Sequence, residues 1–199
     1  MILIVNGSPS GPKGNCQVLI QTLLKKMESY PDWRKKNALQ VLQLSEIKWT
    51  QSNLKKIFSS LDTADGFIFV TGTYWDSWGS PLQIFLEQVT DREGTSTFLG
   101  KPVITLVLNH SVGGKGVLSR LQGVLSTLGC LIPPMSGLVY SWVSDQVLKN
   151  SVHGNAQKDL WSLDDIDNIL ENFRKALRLN VNWARWPVDQ KDFRKIWLS

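Results

Sequence analysis

Three loops hold the residue types best able to do chemistry. The first is Asn6-Gly7-Ser8-Pro9-Ser10-Gly11-Pro12-Lys13-Gly14-Asn15-Cys16, set between four apolar residues at 2–5 and an amphipathic stretch beginning near Asn15. This is the layout of strand, glycine-rich loop and helix. Backbone N–H groups at a helix start carry partial positive charge and bind anions. Ser8 and Ser10 can donate hydroxyl hydrogen bonds, and Lys13 adds charge. The loop reads either as a phosphate cradle or as a plain turn rich in Gly and Ser. Its spacing excludes two familiar alternatives. A dinucleotide fingerprint needs G-x-G-x-x-G, whereas the glycines here are Gly7, Gly11 and Gly14. A Walker loop needs Gly before Lys and Ser or Thr after it, whereas Lys13 lies between Pro12 and Gly14.

The second loop, Thr71-Gly72-Thr73-Tyr74-Trp75-Asp76-Ser77-Trp78-Gly79-Ser80-Pro81, places three aromatics in a polar segment after an apolar run. Such aromatics can wall a planar ligand while backbone amides reach its edges. Packing of Trp75 and Trp78 on a second subunit is the other reading, and both can hold together. The third loop is Asn109-His110-Ser111-Val112-Gly113-Gly114-Lys115-Gly116. Three glycines in four positions let a backbone approach a ligand closely. His110 is either a ligand contact or an ordinary polar surface residue.

The elements that must position these loops follow from periodicity. Helical stripes run through Leu19, Ile20, Leu23, Leu24 and Met27; through Leu82, Phe85, Leu86 and Val89; through Leu118, Leu121, Val124, Leu125 and Leu128; and through Ile166, Ile169, Leu170, Phe173 and Leu177. A weaker helix is expected over 52–61. The last helix opens on Asp164, Asp165 and Asp167 and closes on Arg174, Lys175 and Arg178, complementing its own dipole. Continuous apolar runs at 2–5, 39–44, 66–70 and 103–108 suit strands buried on both faces, with a fifth at 130–132 or 138–142. The alternation predicts an α/β doubly wound domain with a parallel sheet. In such sheets ligands bind beyond the carboxyl ends of the strands, where all three loops fall. Residues 144–163 read as a polar connection. Residues 1–181 form the expected domain and 182–199 a Trp-rich extension.

The chain has 199 residues, 42% of them hydrophobic, and a net charge of +5, enough for one substantial domain. Its basic residues are scattered as solvated faces, so nucleic acid is not an expected partner. No apolar run is long enough to cross a bilayer, and residues 1–5 are too short for a signal-peptide core. A cytoplasmic location is expected, with no membrane partner. Cys16 and Cys130 offer neither a metal-ligand spacing nor a disulfide framework. There are nine tryptophans, and three of them, Trp183, Trp186 and Trp197, lie in the last 17 residues. Aromatics at that density need something to pack against.

Taken together, "NGSPSGPKGNC", "GTYWDSWGSPLQIFLEQV", "GKPVITLVLNHSVGGKG" and "LSTLGCLIPP" resemble the NAD(P)H-dependent FMN reductase family, over roughly residues 1–179. The resemblance implies a flavodoxin-like three-layer sandwich with five parallel strands in the order 2-1-3-4-5. It implies FMN as cofactor and NAD(P)H as co-substrate. Ser8, Ser10, Lys13, Asn15 and Cys16 would then hold the phosphate. Thr73, Tyr74, Trp75, Asp76 and Ser77 would border one side of the ring, and Asn109, His110, Gly113 and Gly114 the other. No protein group need act as nucleophile, acid or base, because the cofactor carries the chemistry. A two-electron ping-pong reaction is implied, with a flavin, quinone or similar acceptor. Family members are usually dimers or tetramers, and Trp78, Trp183, Trp186, Phe193 and Trp197 are the expected interface residues. The tail is expected either on a partner subunit or on its own chain.

Four residues depart from the family's pattern. Ser10 stands where Arg is frequent, Cys16 where Thr is usual, Gly72 where Pro is common, and Asp76 where Gly is common. A carboxylate beside the ring would disfavour an anionic reduced flavin. These departures support a second reading, a non-catalytic flavodoxin-like binding or sensing protein with weakened FMN affinity. A one-electron carrier is disfavoured, because such carriers are usually acidic and this chain has a pI near 9.2.

Overall fold

The computed structural model describes residues 1–35, 38–150 and 162–187. Five parallel strands form one sheet: β1 Ile2–Asn6, β2 Leu39–Gln43, β3 Gly66–Gly72, β4 Val103–Asn109 and β5 Gly137–Ser141. Their order is β2-β1-β3-β4-β5. β1 and β3 are buried along their whole length, which is why they read as unbroken apolar runs. Among the described residues, five helices cover the two faces, α1 Asn15–Glu28, α2 Gln51–Thr63, α3 Ser80–Gln88, α4 Gly114–Leu128 and α6 Ile166–Ala176, and a sixth, α5 Trp142–Lys149, follows β5.

Alternate strand residues feed opposite cores, as the pleat requires. Leu3, Val5, Phe67, Phe69 and Val103 pack under α2, α3 and α4. Ile2, Ile4, Ile68, Val70, Ile104 and Leu106 pack under α1 and α6. Local chemistry fixes the helix ends. The Thr50 hydroxyl accepts from the Asn53 N–H at the head of α2. Ser162 and Asp165 form a reciprocal capping box before α6. Gly129 ends α4 at φ 109°, a conformation natural to glycine.

The fifth strand is the later of the two expected alternatives, while Leu131 makes only an isolated bridge to Pro102. One expectation needs correction. The connection expected over 144–163 begins with a helix, α5. Its first turn is held by the Ser141 hydroxyl, which accepts from the Ser144 N–H (3.4 Å), and its length by a Lys149–Asp145 ion pair of 2.6 Å. Residues 151–161 of that connection lie outside the described residues. Trp78 is half-buried on its own core, and its indole N–H donates to Gln83 Oε1 (2.9 Å).

In the tail, Phe193 and Trp197 lie outside the described residues. Trp183 lays its indole on Gly100, whose Cβ, were there one, would lie 2.7 Å from Nε1. The Trp186 indole donates to Glu93 (2.9 Å), and the Arg185 guanidinium donates to the Gly94 carbonyl (3.3 Å). These contacts, with a small cavity of about 180 Å³ beneath them, lie at the amino edge of β4 and β5. Residues 182–187 therefore pack at the opposite end of the sheet from the three loops.

Candidate functional site

All three loops meet at the carboxyl edge of β1, β3 and β4. Loop one is braced from within. The buried Asn6 side chain donates to the Gly11 carbonyl (3.2 Å) and to Gln43 Oε1 (2.8 Å), and its Oδ1 accepts from the Ser8 N–H (3.1 Å). A turn of 3-10 helix, Gly11–Lys13, then leads into α1. Gly11 has φ 50°, and a side chain there would collide with Ser45, so this position requires glycine. The N–H groups of Asn15 and Cys16 open α1, where no carbonyl of the helix can reach them.

Loop two is a tight turn. Tyr74 and Ser77 exchange backbone hydrogen bonds of 2.8 and 2.9 Å. The two residues between them, Trp75 (φ 47°) and Asp76 (φ 57°), both take the left-handed conformation. Turns of this kind favour Asn-Gly. A bulky residue held there stores strain on the order of 1–3 kcal/mol. Loop three delivers Gly113, at φ 90°, as the residue before α4. Loop two is tied to the end of β4 by the Thr73 N–H, which donates to the Leu108 carbonyl (2.8 Å).

A cleft of about 640 Å³ opens between these loops. Of the residues expected to bind a ligand, Ser8, Ser10, Asn15, Cys16, Thr73, Tyr74, Asn109 and His110 line it. Ser8 is buried, and its hydroxyl accepts from the Ser10 N–H (3.3 Å) and lies 3.4 Å from the Tyr74 hydroxyl. Burial pushes the Cys16 thiol up to about 11 despite its hydrogen bond with Ser8, so it is a neutral wall and not a nucleophile. Two side-chain atoms of the cleft-lining residues are buried and without a hydrogen-bond partner among the described residues: Thr73 Oγ1 and Asn109 Oδ1.

The remaining candidates lie off the cleft wall. Lys13 is exposed on the outer side of loop one. Trp75 is fully exposed, turned to water by the turn geometry. Ser77 closes the turn through its backbone. Gly113 is covered by the Asp76 carboxylate, which fills the place where a Gly113 side chain would be, with Thr73 Cγ2 close beside it. Gly114 is buried, with Asn109 Oδ1 2.5 Å from where its Cβ would be.

The sequence reading missed the cleft's far wall. Val18, Leu19, Thr22 and Leu163 line one flank, and Gly72, Leu108, Tyr140 and Trp142 line another. Trp142 stands beside His110, with ring centroids 5.1 Å apart and planes inclined at 32°. The Tyr140 hydroxyl donates to Asp145 Oδ2 (3.0 Å), so burial and that carboxylate raise its value. Lys149 in turn lowers the Asp145 value by hydrogen bonding. The signal was "YSW" at the carboxyl end of the fifth strand, the same edge as the other loops.

A family model described as NADPH-dependent FMN reductase matches residues 1–141. The chain belongs to the NADPH-dependent FMN reductase family. It is an oxidoreductase of that family, with FMN as cofactor and NAD(P)H as co-substrate. No curated relative matches the sequence. Among solved structures, RosB with bound 8-demethyl-8-formylriboflavin-5'-phosphate is 13% identical, with a TM-score of 0.66 over 100% of this chain and 95% of RosB. The apo NADH:FMN oxidoreductase EMOB is 16% identical, with a TM-score of 0.62 over 88% of this chain and 87% of its own. FerB, an NAD(P)H:(acceptor) oxidoreductase from Paracoccus denitrificans, is 14% identical, with a TM-score of 0.60 over 88% and 97%. At these identities the structures speak for the shared fold. Among the described residues no helix is long and apolar enough to cross a membrane.

Proposed function

We propose that this chain takes hydride from NAD(P)H and passes two electrons to a flavin, quinone or similar acceptor by a ping-pong reaction, in the cytoplasm and as a homodimer. One observation carries the reading. A single cleft joins a helix-head anion cradle to a pair of buried, unpartnered polar atoms, Thr73 Oγ1 and Asn109 Oδ1. FMN needs that combination, a phosphate cradle at one end and hydrogen-bonding groups for a polar ring edge at the other. The residues present fit it. Bound FMN supplies the hydride-accepting and two-electron-donating chemistry.

The chain's own groups bind, orient and exclude water. The Ser10 hydroxyl, the Asn15 side chain and the N–H groups of Asn15 and Cys16 hold the phosphate. Ser8 orders the loop by accepting from Ser10, and Lys13 adds a screened charge from outside. Thr73 and Tyr74 border the ring on one side, Asn109 and His110 on the other. The Trp142–His110 pair walls the open end, where the co-substrate and acceptor enter in turn. No acid–base residue is required. Exposed apolar residues around this mouth (Trp75, Val112 and Trp142) support coverage by a second copy. Residues 182–187 of the tail pack on their own domain at the far edge. Both buried, unpaired cysteines support a reducing compartment.

The test is reconstitution of the purified protein with FMN. A flavin absorbance band bleached by NADPH without oxygen, and parallel double-reciprocal plots against acceptor, are the expected results. A protein that FMN does not reconstitute would sink the reading.

A further inference from the structure

At the rim of the cleft, loops two and three are bridged by one of the chain's own exposed side chains. The Asp76 carboxylate lies on Gly113, at the head of α4, with Thr73 Cγ2 on its flank. It has neither a hydrogen bond nor an ion pair among the described residues, although a helix head carries partial positive charge that holds an anion nearby. The turn geometry puts it there. With Trp75 and Asp76 both left-handed, the indole goes to water and the carboxylate goes across the slot.

The same slot contains a polar side chain that Asp76 leaves unsatisfied. Asn109 is 8% exposed, and its Oδ1 points at Gly114, also at the head of α4, with no donor among the described residues. A carboxylate has no hydrogen to give it. Thr73 Oγ1 is unpartnered as well. An incoming group carrying N–H and C=O side by side, as the flavin ring's pyrimidine edge does, provides the missing donor. Asp76 cannot.

We propose that Asp76 is an affinity-setting residue, an exposed side chain at the rim of the cleft whose carboxylate must leave Gly113 before FMN can seat between loops two and three. This rests on the reading that the ring lies between those loops. The displacement weakens FMN binding, and gives this chain a looser hold on FMN than a relative with Gly at the position.

The experiment is titration of FMN into the full-length apo protein, followed by quenching of flavin fluorescence, for wild type, Asp76→Gly, Asp76→Asn and Asn15→Ala. Asp76→Gly removes the occupant and suits the left-handed turn, so it folds, and its Kd is expected to fall at least tenfold. Asp76→Asn keeps the size and tolerates the turn but loses the attraction to the helix head, so its Kd falls by a smaller factor. Asn15→Ala weakens binding by disturbing the phosphate end. If both Asp76 variants keep the wild-type Kd while Asn15→Ala weakens it, the Asp76 inference is overturned and the FMN site stands. If no variant binds FMN, both are overturned.

Discussion

Gly79→Ala tests whether loops one and two are pressed together as closely as a shared ligand requires. Gly79 precedes α3 at φ −64° and ψ 145°, an extended conformation open to any residue, so alanine brings no backbone strain. The difficulty is space. A Cβ at Gly79 would lie 2.5 Å from the Gly7 carbonyl oxygen and 2.7 Å from Pro9 Cδ. Ordinary contact begins near 3.4 Å, so the two approaches are short by about 0.9 and 0.7 Å. Neither obstacle can rotate away. Gly7 is pinned by its N–H, which donates to the Val70 carbonyl (2.8 Å), and Pro9 is a ring. Loop one or α3 must shift bodily, and overpacking of this kind costs about 1–3 kcal/mol. For a chain of this size that lowers Tm by about 2–12 °C. A shift of loop one moves Ser8 and Ser10 against Thr73 and Asn109, so FMN binding weakens at least tenfold, about 1.4 kcal/mol. Differential scanning fluorimetry and flavin-fluorescence titration read both effects. A variant with wild-type Tm and wild-type Kd would refute the reasoning.

Further predictions follow from the same geometry. Gly123→Ala, in mid-α4 with open space around its Cβ, raises stability by about 0.5–1 kcal/mol and leaves FMN binding unchanged, read by chemical denaturation. Phe173→Ala removes a fully buried ring of α6 and lowers stability by about 3–5 kcal/mol in the same assay. Burial raises Cys16 to about 11 and Cys130 to about 12, from an ordinary value of 9.0, so the native state keeps these protons longer than the unfolded chain does. Their contribution to stability is complete below pH 9.0 and is lost as pH climbs toward those values. The denaturation midpoint therefore falls less steeply above pH 9.0 in Cys16→Ala than in wild type, and Ellman's reagent at pH 8 reaches neither thiol until the protein unfolds. Trp183→Ala lowers stability by about 1 kcal/mol while FMN Kd stays at the wild-type value, because this indole, exposed over 44% of its surface, lies on Gly100 at the far edge of the sheet. A changed Kd at unchanged stability would contradict that placement.

The fold was legible because its signals are local and strong. Strands buried on both faces, such as β1 and β3, leave no choice but a continuous apolar run. Helices such as α6 carry their own apolar stripe and their own charges at each end. What was ambiguous was also local. Residues 130–132 and 138–142 are both short and apolar, and only pairing with β4 separates them: Leu106 opposes Leu138, whereas Leu131 reaches no further than Pro102. Helix α5 escaped because it is brief, with four apolar residues among eight and too few turns to show a stripe. It exists through contacts that periodicity cannot display, a serine hydroxyl at its head and one ion pair along its flank.

The site was legible at the level of which loops, and less so at the level of which side chains face inward. Loops after strands β1, β3 and β4 announce themselves by composition, and the carboxyl-edge rule says where they meet. Direction is a different matter. Trp75 and Asp76 are exposed neighbours on one turn, yet one points wholly to water and the other lays its carboxylate on Gly113, because both adopt a backbone conformation that sequence alone assigns to glycine or asparagine. Reading Asp76 as a residue beside the ring treated it as a perturbation of bound flavin. On the proposal made above, its position on Gly113 makes it instead a competitor for the space that flavin needs. The two roles differ in what they predict. A bystander carboxylate alters the energetics of the reduced ring and leaves the binding of the oxidised ring nearly unchanged. An occupant weakens binding of the oxidised ring itself, before any electron has moved. Affinity for oxidised FMN is therefore the quantity that separates them.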